Sequence, residues 1–309
     1  MNAPQLPKTL VNPKASIQSG NSRFAKRLKQ EVRGDVYFDE ASRGRYSTDA
    51  SIYQIMPLGV VLPKTPLDLE IALDIARDEE IPVLPRGGGT SQCGQTVGEA
   101  LVIDTSKYLR SITALDVERQ RAVVQPGLVL DHLNAQLKSK GLWFPVDVST
   151  AAQCTLGGMT GNNSCGSRSL HYGNMVHNVL GIDAILEDGT KAYFGTFGDQ
   201  GDMSLSSRRL SDLVSRLFQI SSSVKSDIQN VWPKVMRRVG GYNLDIFFPQ
   251  SERPYTSDGS LNLSHLLVGS EGTLATFESI HLKLSKLPSH KLLGVVNFPD
   301  FQTSMELTK

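Results

Sequence analysis

Between residues 58 and 104, short apolar runs and one stretch with apolar residues at helical spacing predict a β-α-β unit and one further strand. The run GVVLP (59–63) is short and β-branched, PLDLEIALDIARDEE (66–80) has apolar residues at helical spacing, and IPVLPRG (81–87) is a second apolar run. GEALVID (98–104) is typical of the next strand. Organised structure is therefore predicted to begin near residue 58.

A second group of elements is predicted further along the chain. LDVERQRAVVQPG (115–127) predicts two strands joined by a polar turn, and LVLDHLNAQLKSKG (128–141) predicts a helix. VLGIDAILEDGTKAYFG (179–195) predicts a hairpin with Asp188 and Gly189 at its turn.

Three other segments complete the pattern. LSDLVSRLFQISSSVKSDI (210–228) predicts one amphipathic helix, and LLVGSEGTLATFESIHLKL (266–284) predicts a strand, a turn and another strand. The first 33 residues are polar, basic and interrupted by proline, so they predict a loose arm.

Composition narrows the class of protein. The chain has 309 residues, of which 39% are hydrophobic, which is enough for a globular protein with two lobes. Its 32 basic and 31 acidic residues leave no charge excess for nucleic acid or an anionic membrane. No apolar stretch approaches the roughly 20 residues of a membrane span. Three cysteines without paired spacing favour a reducing, cytoplasmic location.

The stretch PRGGGTSQCGQT (85–96) is one residue away from a phosphate-binding P-loop, because Gln95 stands where that motif has lysine. A P-loop opens directly into a helix, whereas the segment that follows here is a predicted strand. The spacing also fails the dinucleotide fingerprint G-x-G-x-x-G. Two interpretations remain: a tight turn, or a nest of backbone N–H groups that holds an anion.

A second glycine-rich stretch spans residues 144–174, with the sequence FPVDVSTAAQCTLGGMTGNNSCGSRSLHYGN. It has little helical or strand pattern and few charges. A loop of this length in a globular domain is usually functional, and the alternative is a flexible surface insertion.

Three motifs in order, PRGGGTS, TLGGMTGNNSCGSRSLHYGNMVHNVLG and VGSEGTLA, resemble the vanillyl-alcohol oxidase family of FAD-linked oxidoreductases, also called the p-cresol methylhydroxylase type. The similar branch contains the glycolate oxidase flavin subunit, D-lactate dehydrogenase and D-2-hydroxyglutarate dehydrogenase. The resemblance implies an α+β fold with an FAD-binding domain over residues 45–290. In it, two α/β subdomains, ~57–112 and ~113–290, sandwich FAD.

The resemblance also implies site residues. The first motif would wrap the FAD pyrophosphate with backbone N–H groups, the second would line the flavin ring and ribityl chain, and the third would close over the cofactor. Thr90 stands where some family members tether FAD to histidine, so noncovalent FAD is expected. The residues implied to bind FAD are Arg86, Gly87, Gly88, Gly89, Thr90, Ser91, Gly94, Gln95, Pro145, Ser149, Thr155, Gly157, Gly158, Asn162, Gly166, Tyr172, Ile182, Glu271 and Gly272.

The C-terminal end of the chain differs from the family pattern. Residues 1–44 are expected to form a polar arm, and residues 291–309 are expected to be the first strand and helix of a truncated cap domain, which in the family supplies substrate contacts. Catalytic residues are therefore expected beyond Lys309. The histidines lack metal-site spacing, so no metal is expected.

The implied function is the FAD-binding part of an oxidoreductase that transfers a hydride from a 2-hydroxy acid, such as D-lactate, glycolate or D-2-hydroxyglutarate, to flavin. The implied partners are a small-molecule substrate and an iron–sulfur domain or subunit as electron acceptor, with no nucleic acid. Two alternatives stay open: a non-catalytic FAD-binding fragment of a split enzyme, and an NADPH-dependent reductase of the UDP-N-acetylenolpyruvoylglucosamine type.

Overall fold

A computed structural model describes residues 20, 22–197, 208–235, 237–248, 254–290 and 292–308. Within these residues the chain forms two lobes, each built on one β-sheet covered by helices. The expected α+β fold with two subdomains is confirmed.

The first lobe contains a four-stranded sheet in the order β1-β2-β4-β3, formed by β1 (Asp35–Tyr37), β2 (Gly59–Leu62), β3 (Val83–Arg86) and β4 (Leu101–Asp104). Strands β2, β4 and β3 are parallel, and β1 is an antiparallel edge strand. Helix α3 (Pro66–Asp78) connects β2 to β3, so the predicted β-α-β unit is confirmed. Strand β4 lies between β2 and β3, a pairing that the local pattern did not indicate.

Helix α3 begins where the sequence supplies a cap. The Thr65 side chain accepts a hydrogen bond from Asp68 N, the Asp68 side chain accepts one from Thr65 N, and Pro66 occupies the first turn. Asp68 also accepts from Arg33 N at 2.9 Å, so this cap fixes the segment that leads into β1.

The prediction of a loose N-terminal arm is wrong for residues 23–44. Residues Arg23–Glu31 form helix α1, and α2 (Glu40–Arg45) follows β1. Phe24, Ala25 and Leu28 lie on one face of α1 and are fully buried in the core of the first lobe. Burying a side chain of the size of Phe24 or Leu28 contributes roughly 1.5–3 kcal/mol each, which holds this basic helix in place. Residues 1–19 and 21 of the predicted arm lie outside the described residues.

The second lobe contains a five-stranded antiparallel sheet in the order β5-β6-β10-β8-β9. Its strands are β5 (Ile112–Asp116), β6 (Arg121–Val124), β8 (Val179–Ile185), β9 (Lys191–Phe194) and β10 (Thr276–Lys283). The two predicted strands after residue 112 and the hairpin at Asp188 and Gly189 are confirmed. Helix α4 (Leu130–Lys138) packs on β7 (Leu142–Trp143), which pairs with β11 (Ser285–Lys286).

Three predicted elements differ from the structure. The stretch from 144 to 174 contains two short helices, α5 (Leu156–Gly161) and α6 (Ser169–Tyr172), and is followed by α7 (Met175–Asn178). The single helix predicted over 210–228 is two helices, α8 (Arg208–Ser223) and α9 (Lys225–Val231). The strand predicted from residue 266 is instead the short helix α10 (Ser264–Leu267), which comes after a 3₁₀ turn at Leu244–Phe247.

The two lobes have separate cores that meet at one strand. In the second lobe, Val124, Ile182 and Ile280 from the sheet pack with Leu133 from α4. Ile185, at the end of β8, packs instead into the core of the first lobe. A cleft between the lobes lies beside the end of β3, where Pro85 and Arg86 line it.

The C-terminal segment carries little buried surface. Residues 292–300 form no strand, contrary to the prediction, and α11 (Phe301–Leu307) has no buried residue. Among the described residues, none of the helices combines the length and the apolar character that a bilayer crossing requires.

Candidate functional site

The cleft between the lobes consists of two adjoining cavities. The apolar section has Pro85, Pro126, Ala275 and Phe277 in its walls. The polar section runs along the glycine-rich loop over residues 87–96. Both sections are lined by Gly87, Ser91, Gln95, Thr96, Thr155, Gly158 and Asn162, so they form one continuous cleft.

The structure brings together most of the residues implied by the resemblance. Those that line the cleft are Arg86, Gly87, Gly88, Gly89, Thr90, Ser91, Gln95, Ser149, Thr155, Gly157, Gly158, Asn162, Gly166, Glu271 and Gly272. They come from β3, the loop after it, residues 149–166 of the 144–174 stretch and the turn after α10. Three segments that are far apart in sequence therefore meet in one place.

Four of the implied residues lie outside the lining of the cleft. Gly94 has a positive φ of 81° and packs against Tyr53, so it shapes the loop. Pro145 and Ile182 are buried, the latter at 0% exposure within the core of the second lobe. Tyr172 packs edge-on against Trp143, with ring centroids 5.3 Å apart. Their contact with a cofactor stays a prediction.

The glycine-rich loop has unused hydrogen-bond donors. Within the described part of the chain, none of the backbone N–H groups of residues 87–96 donates to a protein acceptor. Backbone donors that lack a protein partner are satisfied by water or by a ligand, and a run of them forms an anion-binding concavity. This arrangement fits a diphosphate without the lysine that a P-loop would require.

The Arg86 side chain connects the glycine-rich loop to the segment over residues 46–49. Its guanidinium donates to the backbone carbonyls of Tyr46 at 3.1 Å, Thr96 at 3.1 Å and Thr48 at 2.7 Å. It also lies over the Tyr46 ring, 5.3 Å from the centroid, and burial lowers its pKa. The Thr96 hydroxyl donates to Asp49 at 2.9 Å. The Arg86 donors are thus used to join the 46–49 segment to the loop.

Gln95 links the loop to the second lobe. Its Nε2 donates to Asn162 Oδ1 at 2.9 Å and lies 3.5 Å from Glu271 Oε1. Glu271 has a positive φ of 52°, and its backbone N–H donates to Gly161 O at 3.0 Å, which holds the turn against the end of α5. The glutamine that replaces the P-loop lysine therefore has a structural connection of its own.

One of the three cysteines that line the polar section of the cleft, Cys154, is held as a neutral thiol. Cys154 is buried, and that burial raises its pKa to about 11. Its thiol is therefore protonated at neutral pH and is a poor nucleophile. Thr155, the next residue, caps α5 by accepting from Gly158 N. Among the described residues, no group of three or more histidine, cysteine or carboxylate side chains could hold a metal ion.

Several lining residues were not found from the sequence. They are Thr105, Pro126, Asp147, Ala275, Phe277 and Arg237. Pro126 lies at the end of the segment 115–127 that predicts two strands, Ala275 is the last residue of the VGSEGTLA motif, and Phe277 comes two residues later, so their position in the chain was a usable signal. Arg237, an exposed side chain, lies in a segment with no pattern, and nothing in the sequence marks it.

The chain is similar to known flavoproteins. Residues 57–192 match the family described as FAD binding domain. A D-2-hydroxyglutarate dehydrogenase of Haemophilus influenzae is 31% identical over 287 residues, which cover 89% of this chain and 27% of that protein. The glycolate oxidase subunit GlcD of Bacillus subtilis is 36% identical over 163 residues, which cover 52% of this chain and 35% of that protein.

Solved structures support the same fold. An alkyldihydroxyacetonephosphate synthase superposes with a TM-score of 0.60 at 18% identity, covering 86% of this chain and 41% of that one. The chain thus spans just over a quarter of the D-2-hydroxyglutarate dehydrogenase that it matches, with 27% of that protein covered. Its cleft, its three motifs and its relatives agree: the chain carries an FAD-binding domain over residues 57–192 and is similar to the FAD-linked oxidoreductases whose FAD-binding domain is of the p-cresol methylhydroxylase type.

Proposed function

We propose that this chain is the FAD-binding part of an oxidoreductase that oxidises a 2-hydroxy acid of the D-2-hydroxyglutarate, D-lactate or glycolate class. The observation that carries the proposal is the run of unpaired N–H donors over residues 87–96 at the edge of an interlobe cleft. The relatives named for D-2-hydroxyglutarate and glycolate support the substrate class.

In this proposal the backbone of residues 87–91 holds the diphosphate, because each N–H is a fixed partial positive charge. The residues of the second loop, Thr155, Gly157, Gly158, Asn162 and Gly166, line the path of the ring and ribityl chain. Glu271 and Gly272 close the cleft from the second lobe. When bound, FAD supplies the acceptor for a hydride from the α-carbon of the substrate.

Noncovalent binding is part of the proposal. The protonated thiol of Cys154 is unsuited to form a bond to the flavin, and Thr90 offers no imidazole. An iron–sulfur domain or subunit is proposed as electron acceptor. A cytoplasmic location is also proposed, on the basis of three free cysteines.

Flavin analysis and anaerobic reduction together test the proposal. We expect the purified protein to release FAD, and no FMN, on acid precipitation, with no flavin left on the polypeptide. We then expect a D-2-hydroxy acid to bleach the absorbance near 450 nm only slowly, because this chain spans just 27% of the D-2-hydroxyglutarate dehydrogenase that it matches, while the L-enantiomer serves as control. If NADPH bleaches the flavin absorbance and no hydroxy acid does, the proposal is wrong and the NADPH-dependent reductase alternative is favoured.

A further inference from the structure

Gln95 is the side chain that crosses the cleft from the glycine-rich loop to the second lobe. It lines both the apolar and the polar section. Its amide nitrogen reaches Asn162, at the end of α5, and Glu271, in the turn after α10. The side chain therefore lies at the junction of the two sections, where a ligand that occupies both must pass.

The orientation of the Gln95 amide is fixed by its neighbours. An ionised carboxylate accepts hydrogen bonds and donates none, so the amide atom beside Glu271 Oε1 has to be the nitrogen. The same nitrogen donates to Asn162 Oδ1 at 2.9 Å. Both donors of the amide group are thus directed toward the second lobe, and the carbonyl oxygen, Oε1, is left on the other side.

That oxygen is buried and has no hydrogen-bond partner among the described residues. A buried acceptor without a partner is costly, and buried side-chain acceptors in native proteins are almost always satisfied. The unmet acceptor in the lining of a ligand cleft therefore indicates a donor that arrives with the ligand.

The surroundings restrict the kind of donor. The walls of the apolar section include Pro85, Pro126 and Phe277, which suit the faces of a flat ring. A ring that fills this section and also satisfies Gln95 must carry an N–H group at its edge. Fused heteroaromatic rings with such a group occur at both ends of FAD, as the amino group of adenine and the imide of the flavin.

We propose that Gln95 Oε1 accepts a hydrogen bond from a ring N–H of bound FAD and that Gln95 is a cofactor-positioning residue. Through Gln95 the cofactor is joined to Asn162 and Glu271, so that cofactor binding also ties the two lobes together. This inference rests on the proposed placement of FAD in the interlobe cleft.

The test compares Gln95→Met with Gln30→Met in the apoprotein. Methionine keeps the length of the side chain and removes the acceptor, and Gln30 is an exposed glutamine of α1 that lines neither section of the cleft. We expect Gln95→Met to weaken FAD binding roughly tenfold, measured by titration of flavin fluorescence, and Gln30→Met to leave it unchanged. The melting temperature of each apoprotein shows whether the fold is intact.

Binding of ADP, IDP and FMN identifies the ring. If the donor is the adenine amino group, Gln95→Met weakens the binding of ADP but not of FMN, and the wild type binds ADP more tightly than IDP. If the donor is the flavin imide, Gln95→Met weakens the binding of FMN but not of ADP. Should Gln95→Met unfold the protein, Glu271→Gln releases the amide from its fixed orientation and is expected to give the same ligand selectivity with a smaller loss.

Two results would overturn the inference in distinguishable ways. If the wild-type chain binds no FAD, the proposed placement of FAD in the cleft is wrong. If the wild-type chain binds FAD and a folded Gln95→Met variant binds FAD, ADP and FMN as tightly as the wild type does, only the proposed role of Gln95 is wrong.

Discussion

The backbone at Gly88 lies directly against Gln153, so that a Cβ atom at Gly88 would overlap with the carbonyl oxygen of Gln153. This contact joins the two glycine-rich stretches of the chain. From the sequence, the adjacent glycines indicate a tight turn or an anion-binding nest, and the resemblance favours the nest. The structure adds a second reason, because the two loops approach each other closely enough to exclude a side chain.

Gly88→Ala is therefore expected to lower stability as well as FAD affinity. Separating the two loops to admit one methyl group should cost about 1–3 kcal/mol, the usual range for overpacking. Gly98→Ala is the matched control, since a Cβ there would lie at an ordinary 3.4 Å from Leu84. Thermal unfolding of both apoproteins measures the difference. Equal melting temperatures for the two variants would show that the Gly88 contact is unimportant for stability.

Arg86→Lys tests whether geometry or charge matters beneath the glycine-rich loop. Lysine keeps the positive charge, but its single ammonium group cannot reach the carbonyls of Tyr46, Thr48 and Thr96 together. We expect a loss of the order of 2 kcal/mol in the free energy of unfolding and weaker FAD binding. Arg110→Lys, at an exposed arginine, serves as control. An Arg86→Lys variant with wild-type stability and affinity would mean that charge alone suffices.

Local elements of this fold could be predicted where propensity and burial agree. Helix α3 has a capping box and a clear apolar face, and the hairpin at Asp188 and Gly189 has an unambiguous turn. The helix over Ser264–Leu267 was predicted as a strand because a short apolar run has no period that separates the two. Helix α1 was missed because its three buried residues, Phe24, Ala25 and Leu28, are surrounded by basic ones.

The site was partly predictable for a different reason. Its loops were recognised by motifs, but the contacts that shape them join residues far apart in sequence. Gln95 donates to Asn162, and Arg86 donates to Thr48, and no local pattern indicates either pairing. The strand order has the same origin, since β10 lies between β6 and β8 only through long-range pairing.

The segment after residue 291 exposes leucine and valine side chains to solvent. Leu292 is 99% exposed and Leu293 is 91% exposed, and the exposed fractions of Val295 and Val296 are 78% and 70%. Exposed contiguous apolar surface promotes association. We expect Leu292→Ser combined with Leu293→Ser to reduce self-association in sedimentation velocity without changing the melting temperature. Leu67→Ser, at an exposed leucine of α3 with no other large exposed apolar residue beside it in the sequence, should have little effect. If the double variant self-associates as much as the wild type, another surface of the protein is responsible for self-association.

His265 should make the stability of the second lobe depend on pH. Burial lowers its pKa to about 4, from an ordinary value of 6.5, although a hydrogen bond to the Val179 carbonyl acts the other way. Between these two values the unfolded chain binds a proton that the folded chain does not bind. The free energy of unfolding therefore falls as the pH drops from about 6.5 toward 4, by up to roughly 1.4 kcal/mol per pH unit.

His265→Gln isolates this contribution, because glutamine can still donate to Val179 O and does not titrate. We expect the wild type to lose about 2 kcal/mol of unfolding free energy between pH 6.5 and pH 5 from this group, as measured by urea denaturation. His265→Gln should lack that component and differ from the wild type by a constant offset above pH 7. His132→Gln, at an exposed histidine, should keep the wild-type slope. If the His265→Gln slope equals that of the wild type, proton uptake by this histidine does not limit the stability of the lobe in acid.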